Sequence, residues 1–155
     1  MSQRTGFTLL EMLVVLTIVA TLALLAVPGY QQPLQSVRYS EAGACLIRIA
    51  SAIERHHAAT ASDNEPFSLA HQAPDCVTRL SRQFAFGFMD AEGALQPDAP
   101  SRASWLLQAE SLTSRAASAG IPCGALTFSH TGRRGAIGSK GQVFSSAEAI
   151  RRCWH

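Results

Sequence analysis

The first third of the chain carries two hydrophobic patterns in succession. Residues 1–6 are short and polar with Arg4, and residues 7–27 then run for 21 positions whose only charge is Glu11. At a rise of about 1.5 Å per residue, a helix of that length reaches across a hydrocarbon core of roughly 30 Å. The run therefore predicts a bilayer-spanning helix. Pro28-Gly29-Tyr30 and Pro33 follow. Each proline removes a backbone hydrogen bond and crowds the preceding turn, which predicts a kink at Pro28 and argues against an uninterrupted helix between Pro28 and Leu34.

From position 34 to about 59 the pattern becomes amphipathic. Val37, Ala42, Cys45, Leu46, Ile49, Ala50 and Ile53 fall on one face, with Gln35, Arg38, Glu41, Arg48, Ser51 and Arg55 largely opposite. Beyond residue 60 the period shortens to two. Residues 83–89, "QFAFGFM", put three Phe on one face and end in a turn at 90–93; residues 104–112 hold Trp105 and Leu107; residues 124–130, "GALTFSH", alternate Leu126 and Phe128 with Thr127 and Ser129. Three antiparallel strands against one helix face predict an α+β domain. The Phe stripe reads as core packing rather than a ligand surface.

Composition agrees with this division. Of 155 residues, 47% are hydrophobic and 15% charged, and much of the apolar excess precedes Pro28. Roughly 120 residues remain for one small domain. Most of the Pro and Gly residues fall after residue 60, placing helix first and strands or loops later. The net charge of +2 is too small to imply a nucleic-acid partner, yet residues 123–155 hold five Arg or Lys against Glu148 alone.

Glu11 is the anomaly. A secretory signal would have a shorter apolar core and a small-x-small cleavage site, and here Ala20, Ala23 and Ala26 recur every third residue, with Thr21-Leu22-Ala23 the one weak candidate. A plain anchor leaves Glu11 unexplained, since an unpartnered acid in a membrane helix costs roughly 2.5 to 3.5 kcal/mol or more.

The segment Gly6-Phe7-Thr8-Leu9-Leu10-Glu11, with its short basic leader and apolar helix, resembles the class III signal of type IV pilins and pseudopilins. The resemblance implies that a prepilin peptidase cuts between Gly6 and Phe7 and methylates the new amine. Glu11 would become the fifth residue of the mature chain. Its carboxylate could then pair with the Phe7 amine of a neighbouring subunit, cancelling two charges that are costly in an apolar medium. Such head-to-tail complementarity does not close on itself, and so it generates a helical filament. The segments "CGALTFSHTGRRG" and terminal "CWH", together with "LIRIASAIERHH", further resemble PilE-type minor pilins; His56 and His57 stand where aromatic residues are common in that group.

Four cysteines, Cys45, Cys76, Cys123 and Cys153, in a domain exported to an oxidising compartment predict two disulfides. Of three pairings, Cys45 with Cys76 would tie the loop after the helix back to it, and Cys123 with Cys153 would fasten the tail to the third strand. The second pairing also resembles the cysteine loop near the end of many pilins. Each bridge would contribute about 3 to 4 kcal/mol in the chain-entropy model. A zinc site lacks any Cys-x-x-Cys.

Other candidate chemistry is thin. Glu54-x-x-His57 has half the spacing of a di-iron motif, but in one copy only, so a solvated helix end is the simpler reading. Gly132, Gly135, Gly138 and Gly141 lack a following Lys-Ser/Thr and read as flexible turns rather than a phosphate loop. They would display Arg133, Arg134, Lys140, Arg151 and Arg152, which could contact DNA phosphates, as some minor pilins do, or acidic pilin neighbours. Nothing in the spacing of Ser, His and acid assigns catalytic roles.

The expectation is a non-enzymatic minor type IV pilin that promotes assembly or modifies pilus function, without cofactor or metal. Its fold would be α+β: a long kinked N-terminal helix, membrane-spanning in its first half, packed on a 3–4 stranded antiparallel sheet with a disulfide-bonded C-terminal region. Residues 1–6 would be the leader, 7–30 the membrane and filament-core helix, 31–60 the amphipathic half and 61–155 the sheet domain. Expected partners are the prepilin peptidase, the major pilin and other minor pilins, and the inner-membrane assembly platform, with DNA as a further candidate. The location would be the inner membrane, then the pilus. The alternatives are a type II secretion pseudopilin, a DNA-binding minor pilin for natural transformation, and an exported binding module with an uncut anchor.

Overall fold

The computed structural model describes residues 8–60, 66–99, 104–112 and 123–154, with side chains omitted for 24–33. The chain forms two compact units, Met1–Leu34 and Gln35–His155. The first consists, where described, of one stretch of helix α1, which runs Leu9–Ala59. The backbone stays helical through Pro28 and Pro33, so the interruption expected before Leu34 does not occur. Each proline forfeits one hydrogen bond to the preceding turn, and helix continuing on both sides holds the geometry.

The second unit is built on the rest of α1. Tyr39, Ala42, Cys45, Leu46, Ile49, Ala50 and Ile53 are buried, and Gln35 joins them. The steps 35, 39, 42, 46, 49 and 53 alternate four and three residues, the spacing of a single helical stripe. That register corrects two expectations. Val37, two residues and more than half a turn from Gln35, is 53% exposed, whereas Gln35 faces inward.

Short helices α2 (Leu69–Gln72) and α3 (Asp75–Leu80) follow, then strands β1 (Phe84–Met89), β2 (Leu95–Gln96), β3 (Leu106–Ser111), β4 (Cys123–Ser129), β5 (Arg134–Gly138) and β6 (Val143–Phe144), and helix α4 (Ala147–Cys153). The strands form one antiparallel sheet in the order β2-β1-β3-β4-β5-β6. Six strands replace the expected three or four. The expected strands are β1, β3 and β4. Two of the others are only two residues long, too short to show a period, and β5 holds Gly135 and Gly138, which read as turn residues. Gly132 and Gly141 are indeed turns, with φ of 77° and 82°, conformations that glycine adopts without steric cost. Gly135 is instead a close-approach position: a Cβ there would run into Thr127 Oγ1 across the strand pair.

Phe84 and Phe88 of β1, Leu107 and Ala109 of β3, Leu126 of β4 and Ala136 of β5 lie in one core cluster with the α1 stripe. Tyr39 packs edge-on against Phe84 at 5.3 Å between centroids, and its hydroxyl donates to the Cys123 carbonyl at 2.6 Å. Burial holds that phenol above its ordinary pKa, against a smaller opposing effect of a hydrogen bond with Ser111. Two disulfides complete the unit, Cys45 with Cys76 and Cys123 with Cys153, which is the favoured pairing. They tie α1 to α3 and β4 to α4, each closing about 30 residues and contributing about 3 to 4 kcal/mol.

The C-terminus is further held by Trp154. Its indole N–H donates to the Gly135 carbonyl at 2.7 Å, and the ring lies so close to Gly43 of α1 that a Cβ there would sit 3.0 Å from two ring carbons. Ser146 caps α4 by accepting from the Ala149 N–H.

Candidate functional site

Two regions carry the residues singled out from the sequence. In the N-terminal segment, Gly6 and Phe7 lie outside the described residues, and the description begins at Thr8. The Glu11 N–H donates to Thr8 Oγ1 at 3.3 Å, and the Met12 N–H donates to the Thr8 carbonyl at 3.2 Å. Thr8 is thus the N-cap of α1 and Glu11 stands at the third helical position, the Thr-x-x-Glu spacing of a capping box. A carboxylate in the first turn also faces the positive end of the helix dipole. The sequence held this signal, in Thr8 and Glu11 three residues apart.

Every described side chain from position 8 to 23 is exposed, including Leu9 at 85% and Leu10 at 73%. Leu9, Met12, Leu13, Leu16, Thr17 and Ala20 share one stripe along a shallow groove. Two hydroxyls interrupt the apolar surface, and both are satisfied within the helix: Thr17 donates to the Val14 carbonyl and Thr21 to the Ile18 carbonyl, each at 2.8 Å. Such local bonding lets threonine sit in an apolar medium without a bare polar group. Glu11 is the one ionisable side chain between positions 8 and 23.

Among the described residues no helix is long and apolar enough to cross a membrane.

Residues 1–27 match the prokaryotic N-terminal methylation motif. The chain carries the class III prepilin signal of type IV pilins. This prepilin signal implies processing by a prepilin peptidase and assembly with pilus components, and it suggests a structural rather than an enzymatic protein. It also fits a protein first anchored in a membrane and later part of a pilus. The long helix, antiparallel sheet and disulfide-bonded C-terminus fit a pilin fold. No curated protein matches the chain closely enough to count as a relative.

The second region is the basic one. Arg133, Arg134, Lys140, Arg151 and Arg152 are all exposed, but the structure does not gather them. Arg134 opens β5, Arg133 stands just before it and Lys140 lies two residues past its end, so the strand alone separates the arginines from the lysine by about 13 Å. The Arg134 guanidinium lies over the Trp154 ring at 5.1 Å, and Arg152 pairs with Glu148 at 2.8 Å, an exposed contact worth at most about 1 kcal/mol. The sequence shows Trp154 only as part of a motif, and its role as an anchor depends on tertiary contacts with Gly43 and Gly135. At the end of α1 the His56 ring packs against Phe67, and among the described residues no group of three or more His, Cys, Asp or Glu is placed to hold a metal ion.

Proposed function

We propose that this chain is a minor type IV pilin, a structural subunit whose N-terminus is both processing signal and assembly element. A prepilin peptidase removes residues 1–6 and methylates the Phe7 amine. The apolar helix holds the precursor in the inner membrane, bends at Pro28 and then enters the filament core. The supporting observation is the combination of the prepilin signal with a charged Glu11 on a helix stretch whose other described side chains are apolar or self-satisfied and exposed.

In this reading the Glu11 carboxylate receives the Phe7 ammonium of the adjoining subunit. Pairing removes the roughly 2.5 to 3.5 kcal/mol or more that each lone charge would cost in an apolar medium. The two cystines and the terminal Cys153-Trp154 favour a pilus subunit over a pseudopilin of type II secretion. Mass spectrometry of the chain recovered from cells with an active peptidase tests the reading. A mature N-terminus at a methylated Phe7, in chain sheared from the cell surface with pili, is the expected result; an intact Met1 would overturn it.

A further inference from the structure

The two edges of the sheet carry opposite charge. Between Phe84 and Ala99, which make β1, β2 and their turn, the charged residues are Asp90, Glu92 and Asp98, all acidic. At the other edge, β5, β6, α4 and their turns carry Arg133, Arg134, Lys140, Arg151 and Arg152 against Glu148 alone. The formal charges are −3 and, from five cations less one acid, +4. Arg102, in the connection to β3, lies outside the described residues.

Strand order and register fix how these charges are placed. β2-β1 and β5-β6 are the two ends of the sheet. The pairs Met89↔Leu95, Phe88↔Leu107, Leu106↔Ser129 and Phe128↔Arg134 run across the same margin. The Asp90–Gly93 turn, which joins β1 to β2, and the Arg133-Arg134 pair therefore lie at one margin of the sheet, three to four strand spacings or about 14 to 19 Å apart. Asp98 joins Asp90 and Gln96 in lining one depression beside Phe88.

The acidic side is held in shape. Asp90 accepts from the Ala94 N–H at 2.7 Å and from Gln96 Nε2 at 2.9 Å, the Gln96 bond first among the causes that keep its carboxyl below the usual range. Glu92, Asp98, Arg133 and Lys140 are exposed.

We propose that the acidic β1–β2 edge of one copy of this chain docks against the basic β5–α4 edge of a second copy. An isologous pairing through either edge would set like charges against each other, whereas a copy displaced along the sheet's width sets Asp90, Glu92 and Asp98 against Arg133 and Arg134. Such a contact joins two different patches, and where the rotation between copies does not close a ring it is compatible with a growing filament. Complementary charge of this kind chooses which surfaces meet and speeds their encounter. The inference rests on the assembly reading and adds to it that copies of this chain lie next to one another.

Lys140 is the only lysine in the sequence, which makes a carbodiimide experiment selective. The full-length chain carrying Arg133→Lys and Lys140→Arg, processed and held in detergent micelles at low ionic strength, keeps both charges and leaves one side-chain amine. The expected product is an SDS-stable dimer whose cross-linked peptide joins position 133 to Asp90, Glu92 or Asp98. Its yield should fall several-fold at about 1 M salt, where the screening length shrinks to about 3 Å, and should vanish when Asp90→Asn, Glu92→Gln and Asp98→Asn are added. No dimer at low salt, coupling to other acids such as Glu41 or Glu54, or a dimer displaced by duplex DNA that binds position 133 overturns the proposal. A chain correctly cut at Phe7 and recovered in pili, but without this cross-link, removes the edge contact and leaves the assembly reading standing.

Discussion

Leu9, Leu10 and Leu22 are 85%, 73% and 62% exposed, whereas Tyr39, Leu46, Ile49 and Ile53 of the same helix are at most 1% exposed. Both stretches are rich in large apolar residues, and what differs is what the rest of the chain supplies to cover them. The later stretch meets a sheet, the Cys45–Cys76 disulfide and the Trp154 ring, so its apolar residues stabilise the fold. The earlier stretch has an apolar surface, an N-cap at Thr8 and one carboxylate. Fully burying each such side chain would gain about 1.5 to 3 kcal/mol, and that gain is left for lipid or for other subunits. In the proposed reading, folding and assembly are thereby separated along the sequence, and substitutions should affect one without the other.

The sharpest test of that separation is Phe88→Ala. It removes a fully buried ring at the centre of the core and should cost about 3 to 5 kcal/mol, read as a lower Tm of the full-length chain in detergent micelles, while peptidase cleavage of residues 1–6 proceeds as before. Impaired cleavage would mean that the two regions are not independent. Removing the Cys123–Cys153 bridge by paired Cys→Ser substitutions should cost about 3 to 4 kcal/mol, again without effect on processing.

On the other side of the comparison, Thr8→Ala should destabilise the start of α1 by about 1 kcal/mol. Amide exchange over the first helical turn would report the loss, and the Tm of the sheet unit should not move. The smallest effect is a pH dependence confined to the second unit. Because burial raises the Tyr39 pKa in the folded state, the unfolded phenol releases its proton first, near pH 10. Stability is therefore fully present below about pH 10 and declines as pH rises towards the folded value. Denaturant titrations at increasing pH should show this decline, and Tyr39→Phe should flatten it at the cost of about 1 kcal/mol from the lost hydrogen bond to the Cys123 carbonyl.

What could be read from the sequence follows the strength of local periodicity. The helix end at Ala59 and strands β1, β3 and β4 show clear periods of 3.6 or 2, and the turn after Met89 carries Asp90 and Gly93. β2 and β6 have two residues each and are defined only by their neighbours. β5 was hidden because Gly135 is needed for its approach to Thr127, a constraint that exists only once the strands have paired. The apolar pattern alone sets the helix face slightly out of register, because the amphipathic Tyr39 turns inward while Val37 faces out. At the functional end, Glu11 was conspicuous because it broke an apolar run. The separation of Lys140 from Arg133, and the engagement of Arg134 with Trp154, depend on strand direction and on the position of the C-terminus, which no local pattern encodes.

The central claim is that Glu11 serves assembly and not folding, and one comparison addresses it directly. The parent chain and its Glu11→Ala variant, each expressed with the other pilus components, would be quantified in sheared filaments relative to the membrane fraction. The account predicts a variant that is cleaved at Phe7, keeps both disulfides and the parental Tm, and remains in the membrane. Incorporation of the variant at the parental level would contradict it.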